Sequence, residues 1–310
     1  IILVRCILIV AFLYFFGGLA FLVNRGSNYP QPLSRRRLFL MHCISKWMGF
    51  TLLLVQGLVI IKKNSPRQKA RIHVYNHTSF DDVLVQCQVM TGSGVAKHQL
   101  AEWWPFRYLL QLSRSLMVHR DGEVSSQVQK MVSKNVTQQM QQHLQQSTDP
   151  LGLCPEGTVP APGCVMRFKT SAFRLGVPVT PVSVRYRTVL PLSWTTHHWA
   201  VAVFNHLANP FGIIQVRYFD QETQKDGESV QEFADRVGRL IAKDLGYKYV
   251  PYQSQDWVYF GCGYAKEKIT EDYKKDFGWM GTLDEFCSRY GVKGKQFGLC
   301  QKDVEGIKPE

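Results

Sequence analysis

Several motifs that define common protein classes are absent from these 310 residues. None of the eight cysteines forms a Cys-x-x-Cys pair, so the spacing typical of a structural zinc site is missing. No Gly-x-Ser-x-Gly elbow occurs, which argues against a hydrolase with a serine nucleophile. No helix-turn-helix, zinc-finger or aromatic RNA-binding pattern is visible, so nucleic acid is the weakest candidate partner.

Acidic residues are scarce relative to basic ones. Lysine and arginine number 37 against 24 aspartates and glutamates, which gives a formal net charge of +13. Such a basic excess suits an anionic membrane surface or a phosphorylated substrate. A hydrophobic fraction of 45% is ample for a packed core, so a globally disordered chain is excluded. The scattered cysteines favour reduced thiols that face the cytosol over a disulfide framework.

Two apolar stretches lie near the amino terminus. The first, from Ile7 to Val23, is uncharged and barely long enough to cross a hydrocarbon layer of about 30 Å. The second, from Leu38 to Ile61, has basic residues on both sides. Because basic residues prefer the cytoplasmic side, this pattern favours a segment that dips into the bilayer or lies in its interface. A buried core helix of the soluble domain is the alternative for the second stretch.

Short β-favouring runs alternate with helical patterns downstream. They lie near residues 72–75, 93–96, 115–119, 151–154, 179–185 and 213–219. This alternation favours an α/β domain, with a mixed sheet flanked by helices, behind an N-terminal hydrophobic membrane hairpin. Amphipathic helices are predicted over residues 123–146 and 228–245. The predicted organisation is hydrophobic segments and basic linkers (1–64), a folded domain (65–246) and a C-terminal extension of unassigned role (247–310).

One histidine and one carboxylate occur at short range after a predicted strand. The strand over residues 72–75 is followed directly by Asn76 and His77. Ser79 is a good N-cap for a helix whose first turn contains Asp82. A neutral imidazole can take a proton from a hydroxyl, and a carboxylate on its other nitrogen fixes the tautomer. The pair would let a substrate's own hydroxyl attack an activated acyl group. A capped turn with a surface histidine is the alternative, because chance also supplies this spacing.

Three further blocks follow along the chain. They are a strand over residues 115–119 that ends in Arg120, the run Pro155-Glu156-Gly157-Thr158, and the apolar, β-rich run 177–182. A basic cluster of Arg167, Lys169 and Arg174 lies between the last two blocks. Together with residues 76–82, these blocks resemble in order and spacing the glycerolipid acyltransferase superfamily, the PlsC-type enzymes with a His-x4-Asp motif. The resemblance covers roughly residues 70–245.

The resemblance implies roles for the motif residues. His77 would be the general base on the acceptor hydroxyl, and Asp82 its orienting partner. Arg120, Glu156 and Gly157 would position the acyl acceptor, with Arg120 meeting its phosphate. The full implied substrate-binding set is Asn76, Ser79, Arg120, Glu156, Gly157, Thr158 and Lys169. The family needs no metal and no cofactor, since acyl-CoA is a co-substrate.

The implied reaction moves a fatty acyl group from acyl-CoA to the free hydroxyl of a lysophospholipid, or of a glycerol phosphate-type lipid, in phospholipid synthesis or remodelling. Residues 167–173 resemble the lysophosphatidylcholine acyltransferase branch, to which the ancient ubiquitous protein is related. We expect acyl-CoA, lysophospholipid and a membrane lipid surface as partners. The expected location is the cytosolic face of the endoplasmic reticulum membrane, with lipid droplets as a second site. The alternative is a non-enzymatic membrane or lipid-droplet scaffold built on the same fold.

Two positions depart from the family pattern. Cys154 stands where the family usually has phenylalanine, at a position that packs. After Thr158 the chain continues Val-Pro-Ala-Pro-Gly rather than with an arginine- or asparagine-rich segment. The second departure leaves the identity of the acyl acceptor open.

Overall fold

The computed structural model describes residues 1–25, 34–64, 70–90, 92–104, 106–118, 136–160, 163–192 and 199–250. Three sequence predictions fall wholly or partly elsewhere. Arg120, the first half of the predicted helix 123–146, and the C-terminal extension after residue 250 lie outside the described residues.

Helices and strands alternate along most of the described chain. The helices are α1 (Ile2–Asn24), α2 (Arg35–Val55), α3 (Asp82–Val85), α4 (Phe106–Leu112), α5 (Val136–Gln146), α6 (Trp199–Ala208) and α7 (Val230–Leu245). The strands are β1 (Leu58–Asn64), β2 (Ile72–Tyr75), β3 (Val95–Lys97), β4 (Leu116–Val118), β5 (Leu151–Leu153), β6 (Cys164–Met166), β7 (Val179–Thr188), β8 (Gly212–Tyr218) and β9 (Lys248–Val250). The six predicted strand regions are all found, whereas β1, β6, β9 and α6 were not predicted.

Five strands form the central sheet in the order β1-β8-β7-β2-β5. Strand β2 runs parallel to both β5 and β7, β1 runs parallel to β8, and β7 runs antiparallel to β8. The predicted mixed sheet is therefore confirmed. Two parallel pairs, β3–β4 and β6–β9, flank it, and Ser93 links the first pair to β5 through a bridge with Leu151.

Helices cover both faces of the sheet. On one face, α5 and α7 bury a cluster that contains Ile72, Val74, Phe173 and Phe233. On the other face, α2 and α3 contribute Leu53 and Val85 to a cluster that β7 and β8 complete. Helix α7 begins with a capping box between Ser229 and Glu232 and ends at Gly246, which adopts a φ of +65°. Each fully buried large apolar side chain in these clusters stabilises the fold by about 1.5–3 kcal/mol.

The predicted domain boundaries are wrong at both ends. Residues 58–64 form β1, an edge strand of the central sheet paired with β8, so the domain begins before residue 65. Strand β9 pairs with β6 beyond residue 246. The helical part of the second apolar stretch is also shorter than the predicted stretch. Helix α2 ends at Val55, and Gly57, which adopts a φ of +77°, turns the chain into β1. Apolar side chains suit both a helix and a buried strand, so the sequence did not separate the two.

Helix α2 lies lengthwise on the domain. Its Gly49 packs so tightly against the chain at Leu84 that an added Cβ would lie 2.6 Å from the Leu84 carbonyl oxygen. Near its start, His42 lies 3.4 Å from Asp149, and at its end Gln56 donates to Asp81 at 3.0 Å. These contacts extend over residues 42–56, a length of about 21 Å along the helix. Its inner face is therefore part of the core, as one of the two sequence alternatives expected.

Helix α1 packs beside α2 and α4. Tyr14 contacts Trp104 with ring centroids 4.8 Å apart, and Phe21 contacts Tyr108 at 5.3 Å. Both α1 and α2 are long and apolar enough to cross a membrane by length and composition alone, and either a core helix or a signal sequence passes the same test. Their outer faces expose large apolar side chains, namely Leu3, Val4, Ile7, Val10, Phe15, Leu22, Phe39, Leu40, Trp47, Phe50 and Leu54. The two helices thus form a layer that is packed on its inner side and apolar on its outer side.

Candidate active site

The predicted motifs meet at one edge of the sheet. Because β2 and β5 are parallel neighbours, the loops after their carboxyl ends lie side by side. The loop after β2 brings Asn76 and His77, and the loop after β5 brings Pro155 and Glu156. A cleft of about 290 Å³ opens here. Its lining includes His77, Thr78, Pro160, Gly163, Cys164, Tyr186, Thr188, Leu192 and Tyr247.

His77 and Asp82 form a hydrogen-bonded pair. The Nδ1 atom of His77 lies 2.7 Å from Oδ2 of Asp82. The Asp82 side chain is 3% exposed and that of His77 is 25% exposed. Since a carboxylate can only accept, Nδ1 of the neutral imidazole carries the proton, and Nε2 is the nitrogen that can take one. The arrangement is that of an oriented general base at the wall of a cleft.

The local backbone folds around the Asp82 carboxylate. Its Oδ2 also accepts the N–H groups of Thr78 at 2.7 Å and Ser79 at 3.0 Å. Its Oδ1 accepts the hydroxyl of Tyr186 at 2.7 Å. Helix α3 begins only at Asp82, with Asp81 as its N-cap, so the predicted N-cap at Ser79 is wrong. Residues 77–81 form a turn instead, and that turn lets a histidine five positions upstream reach the carboxylate.

Tyr186 belongs to the site but was not predicted. It lies near the end of β7, one residue beyond the predicted strand 179–185, and it lines the cleft. Burial, followed by the charges of Asp82 and Asp81, raises the pKa of Tyr186 well above its ordinary value, so the phenol remains a donor. The available signal was the two-residue alternation of β7, which puts Val182, Val184 and Tyr186 on one face.

Glu156 supports the loop of His77 from inside the protein. It is fully buried, its Oε1 accepts the N–H of His77 at 2.7 Å, and its Oε2 accepts the N–H of Met166 at 2.8 Å. The carboxylate thus joins the turn after β2 to β6. The prediction that Glu156 contacts the acyl acceptor directly is wrong, because both carboxylate oxygens face backbone groups beneath the cleft wall.

The protonation of Glu156 is expected to make stability depend on pH. Burial raises its pKa to about 8 from an ordinary 4.5, while the N–H groups of His77 and Met166 oppose the shift. Between these two values the folded state binds the proton more tightly than the unfolded state does, so the free energy of unfolding falls as the pH rises. The contribution amounts to at most about 5 kcal/mol across that window.

This dependence can be isolated by comparing variants in chemical unfolding at pH 5, 6, 7 and 8. Glu156→Gln cannot ionise, so its free energy of unfolding should decline less across this range than that of the wild type. Glu102→Gln removes an exposed carboxylate and should retain the wild-type slope. Equal slopes for the wild type and Glu156→Gln would show that Glu156 ionises normally.

Gly157, Thr158 and Lys169 come together as the sequence blocks suggest. Gly157 adopts a φ of +73°, and a Cβ at this position would lie 3.0 Å from both Cε and Nζ of Lys169. The backbone N–H of Lys169 donates to the carbonyl of Pro155 at 2.9 Å. The lysine side chain therefore crosses the turn that bears Gly157 and the half-buried Thr158. A glycine is required here both for the positive φ and for this close approach.

Asn76 and Ser79 have different places from those predicted. Asn76 is 2% exposed, and its side-chain amide exchanges hydrogen bonds with the backbone of Val184 at 2.8 and 2.9 Å. It thus extends the pairing of β2 with β7. Ser79 is 0% exposed and bonds to His206 and Asp81. The predicted direct contact of Asn76 and Ser79 with substrate is therefore wrong.

Three side chains at the site are close enough to consider as metal ligands. One ligand atom each from His77, Asp82 and Cys154 lies within 4.8 Å of the others. Asp82 already accepts from His77, Tyr186 and two backbone N–H groups. Burial, followed by the charges of Asp82 and Glu156, raises the pKa of the Cys154 thiol well above its ordinary value. A saturated carboxylate and a protonated thiol do not fit a transition-metal site.

Comparisons with known proteins agree with the geometry. A model of the acyltransferase family matches residues 58–185. Glycerol-3-phosphate acyltransferase 3 of Xenopus laevis is 25% identical over 231 residues, which is 69% of this chain and 46% of that protein. Lysophosphatidylcholine acyltransferase 1 of Danio rerio is 33% identical over 107 residues, which is 33% of this chain and 21% of that protein.

Two further comparisons concern a lipid droplet-regulating relative and the fold. The lipid droplet-regulating VLDL assembly factor AUP1 homolog of Caenorhabditis elegans is 27% identical over 202 residues, which is 62% of this chain and 47% of that protein. The crystal structure of the 1-acyl-sn-glycerophosphate acyltransferase PlsC of Thermotoga maritima is 17% identical, with a TM-score of 0.57, covering 79% of this chain and 93% of that one.

The chain spans less than half the length of the curated relatives named above. The family match nevertheless includes β1, the His77–Asp82 turn, the Pro155–Thr158 turn and most of β7, which build the site. The structural likeness to PlsC shows the same fold. Residues 58–185 thus match the acyltransferase family, and the chain is similar in sequence and in fold to glycerolipid acyltransferases.

Proposed function

We propose that this protein transfers a fatty acyl group from acyl-CoA to the free hydroxyl of a lysophospholipid or a glycerol phosphate-type lipid. The observation that carries the proposal is the His77–Asp82 pair at the wall of the cleft, in which the carboxylate holds Nδ1, so that Nε2 is the nitrogen that can take a proton. The relatives in the superfamily include proteins named for acylation of glycerol 3-phosphate and of lysophosphatidylcholine. No protein nucleophile is needed, because the acceptor brings its own hydroxyl.

The proposed reaction proceeds through direct attack. The acceptor hydroxyl oxygen forms a bond with the thioester carbonyl carbon while its proton passes to Nε2 of His77. The imidazolium that results is stabilised by the Asp82 carboxylate 2.7 Å away. The tetrahedral intermediate then loses CoA by cleavage of the carbon–sulfur bond, and the departing thiolate takes the proton back from His77. The ester product and free CoA balance the substrates without any cofactor.

Basic residues are proposed to bind the phosphate groups of the two substrates. Lys169 crosses the turn of Gly157 next to the loop of His77, where its ammonium group suits a phosphate. Arg120, at the end of the second block, is assigned the acceptor phosphate by its motif position. Gly157 and Thr158 are proposed to shape the same side of the acceptor site. Glu156 and Asn76 act beneath them, through the backbone groups that they hold.

The protein is proposed to work while lying on a membrane, at the cytosolic face of the endoplasmic reticulum and on lipid droplets. Helices α1 and α2 pack on the domain with their inner faces, so lipid can reach only their outer faces. Helix α2, whose residues 42–56 contact the domain along their length, does not cross a bilayer in that arrangement. The outer faces instead suit burial in the headgroup and upper acyl region, with both helix axes along the membrane surface.

Substitution on the outer face of α1 is expected to weaken membrane binding. Leu3 is 72% exposed and Ile7 is 59% exposed, one helical turn apart. The double variant Leu3→Glu, Ile7→Glu should lower the partition onto liposomes at least tenfold, because each apolar side chain gains about 1.5–3 kcal/mol on burial. Liposome co-sedimentation with anionic phospholipid measures this partition.

A charge-matched control separates apolar contact from electrostatics. Gln141→Glu, Gln142→Glu adds the same two charges on exposed positions of α5, away from α1 and α2. This control should partition nearly as the wild type does. Equal losses in both double variants would contradict the apolar contact. Infrared dichroism on oriented bilayers, which should report helices parallel to the surface, tests the in-plane arrangement directly.

An acyl-transfer assay tests the proposed reaction. Purified protein in mixed micelles or liposomes would receive radiolabelled acyl-CoA and, in separate reactions, glycerol 3-phosphate, lysophosphatidic acid and a panel of lysophospholipids. Labelled ester product should form with at least one acceptor and should depend on His77. Absence of product with every acceptor and several acyl chain lengths would reject the enzyme and favour the alternative, a scaffold on lipid droplets, which the similarity to the AUP1 homolog supports.

A further inference from the structure

A second histidine–carboxylate pair lies directly behind the first one. Asp81, the neighbour of Asp82, faces His206 of α6, with Oδ2 of Asp81 3.2 Å from Nε2 of His206. Asp81 is 4% exposed and His206 is 8% exposed. Oδ1 of Asp81 accepts the side-chain N–H of Gln56, the C-cap of α2, at 3.0 Å. One buried carboxylate thus joins the catalytic turn to α2 and α6.

The contacts of His206 indicate a doubly protonated ring. Its Nδ1 lies 2.7 Å from the carbonyl oxygen of Ala202, which can only accept a hydrogen bond. Its Nε2 lies 3.2 Å from the Asp81 carboxylate and 2.9 Å from the hydroxyl of Ser79. Each ring nitrogen therefore faces an acceptor. Because the hydroxyl of Ser79 can donate its own proton to Asp81, its oxygen can accept from Nε2, so both ring nitrogens can donate at once.

The charges around His206 favour the same state. Burial, the largest single cause, lowers its pKa, but the hydrogen bond and charge of Asp81, the Ala202 carbonyl and the charge of Asp82 together raise it. The guanidinium group of Arg5 in α1 lies at the end of α6, where it donates to the carbonyls of Leu207 and Asn209. The rest of the contact is apolar, since the ring of Phe80 lies 5.9 Å from that of His206.

The cluster is not a second nucleophilic site. In a serine–histidine–aspartate triad the carboxylate holds one ring nitrogen and the serine faces the other. Here Asp81 and Ser79 share Nε2, and Nδ1 is bonded to the backbone of its own helix. Ser79 is also 0% exposed, so no substrate reaches it. The cluster can act on the reaction only through the turn that it holds.

We propose that Asp81 and His206 are positioning residues, which as a buried ion pair hold the turn of residues 77–82 in its catalytic shape and tie that turn to α2 and α6. The proposal rests on the proposed function for its effect on catalysis, but the protonation of His206 can be tested without it. Loss of the imidazolium would leave the Asp81 charge buried beside Asp82, with the side chains of Gln56 and Ser79 as its remaining partners among the described residues. Repulsion between the adjacent carboxylates would then shift Asp82 away from His77.

The ion pair should appear in the pH dependence of turnover. His206 must be charged, and because its folded pKa is raised, its contribution is present at lower pH and is lost as the pH rises through that pKa. The wild type should therefore lose kcat on the alkaline side of its pH profile, the alkaline limb. His206→Gln should lower kcat about 100-fold with little change in KM and should lack the alkaline limb.

Two companion variants keep this result interpretable. His143→Gln removes another buried histidine, whose Nε2 faces the carbonyl oxygen of Asp149 rather than the turn of residues 77–82, and should retain the alkaline limb. The double variant Asp81→Asn, His206→Gln replaces the ion pair by a neutral one and should be more active than either single variant. A purely additive double variant, or a His206→Gln enzyme with the wild-type kcat and profile, would overturn the proposal.

Nitrogen-15 NMR of the imidazole groups gives a readout that does not need activity. The protein contains nine histidines, and the signal missing in His206→Gln identifies that of His206. In the wild type this ring should still show two protonated nitrogens at a pH at which an ordinary histidine has lost one of its protons. A neutral His206 at that pH would refute the ion pair even if acyl transfer were found. A charged His206 in a protein without acyl transfer would refute only the proposed function.

Discussion

Replacement of His77 by alanine is expected to lower kcat for acyl transfer by about 10³- to 10⁴-fold. The variant loses the nitrogen that takes the proton of the acceptor hydroxyl, while the remaining lining of the cleft stays in place. KM for both substrates should therefore change little, because the imidazole contributes mainly in the transition state. The measurement is initial-rate kinetics with the acceptor that gives the largest signal in the wild type.

The matched control for this variant is His143→Gln. His143 is buried in α5, and burial, followed by the charges of Arg114 and Arg71, lowers its pKa to about 4, so this ring is neutral and has no part in the proposed reaction. Its substitution should leave kcat within a few-fold of the wild type. A His77→Ala enzyme that retains more than a tenth of wild-type kcat would reject His77 as the base, although not the fold or the membrane arrangement.

The second large effect is expected from Asp82→Asn, which should lower kcat by about 10⁴-fold with unchanged global stability. An asparagine oxygen can still accept from the N–H groups of Thr78 and Ser79, so the turn should keep its shape. The amide, however, is uncharged and does not stabilise the imidazolium of His77. An amide group turned toward Nδ1 would also select the other tautomer, which places the proton on Nε2.

The variant Tyr186→Phe distinguishes the effect of the Asp82 charge from that of a hydrogen bond to it. This variant removes one donor to Oδ1 of Asp82 and leaves the carboxylate and its contact with His77 in place. We expect kcat to fall about tenfold. One hydrogen bond to a charged group is worth roughly 1.5–3 kcal/mol, and part of that energy stabilises the ground state as much as the transition state. Circular dichroism and thermal unfolding of both variants should match the wild type. Similar losses for Asp82→Asn and Tyr186→Phe would contradict the proposed role of the charge.

The central parts of the site could be predicted because they depend on contacts close in sequence. A strand that ends at Tyr75 and a turn that places Asp82 within reach of His77 are local events, and the sequence indicated both. The block after β5 was also recognisable, because Gly157 adopts a positive φ that few other residues tolerate. The identity of the helix N-cap was wrong, since Ser79 turns its hydroxyl toward His206, more than a hundred residues away.

The errors at the site share one physical cause. Glu156, Asn76 and Ser79 are polar motif residues, and a polar residue in a motif suggests contact with substrate. In the fold each is buried and hydrogen-bonded to a partner distant in sequence, namely His77, Val184 and His206. Buried polar groups must find partners, but the sequence does not say which. Tyr186 was missed for the same reason, because its partner Asp82 lies over a hundred residues away.

The sequence by itself determined the resemblance to glycerolipid acyltransferases, the α/β class with a mixed sheet, the apolar amino-terminal helices and the pairing of His77 with Asp82. These follow from periodicity, turn chemistry and short-range spacing, which are properties of neighbouring residues. Only the tertiary structure decided that β1 belongs to the central sheet, that α1 and α2 lie along the domain, and that Asp81 and Tyr186 support the dyad. Those features depend on which distant surfaces bury each other, and that choice is made by the packing of the whole chain rather than by any one segment.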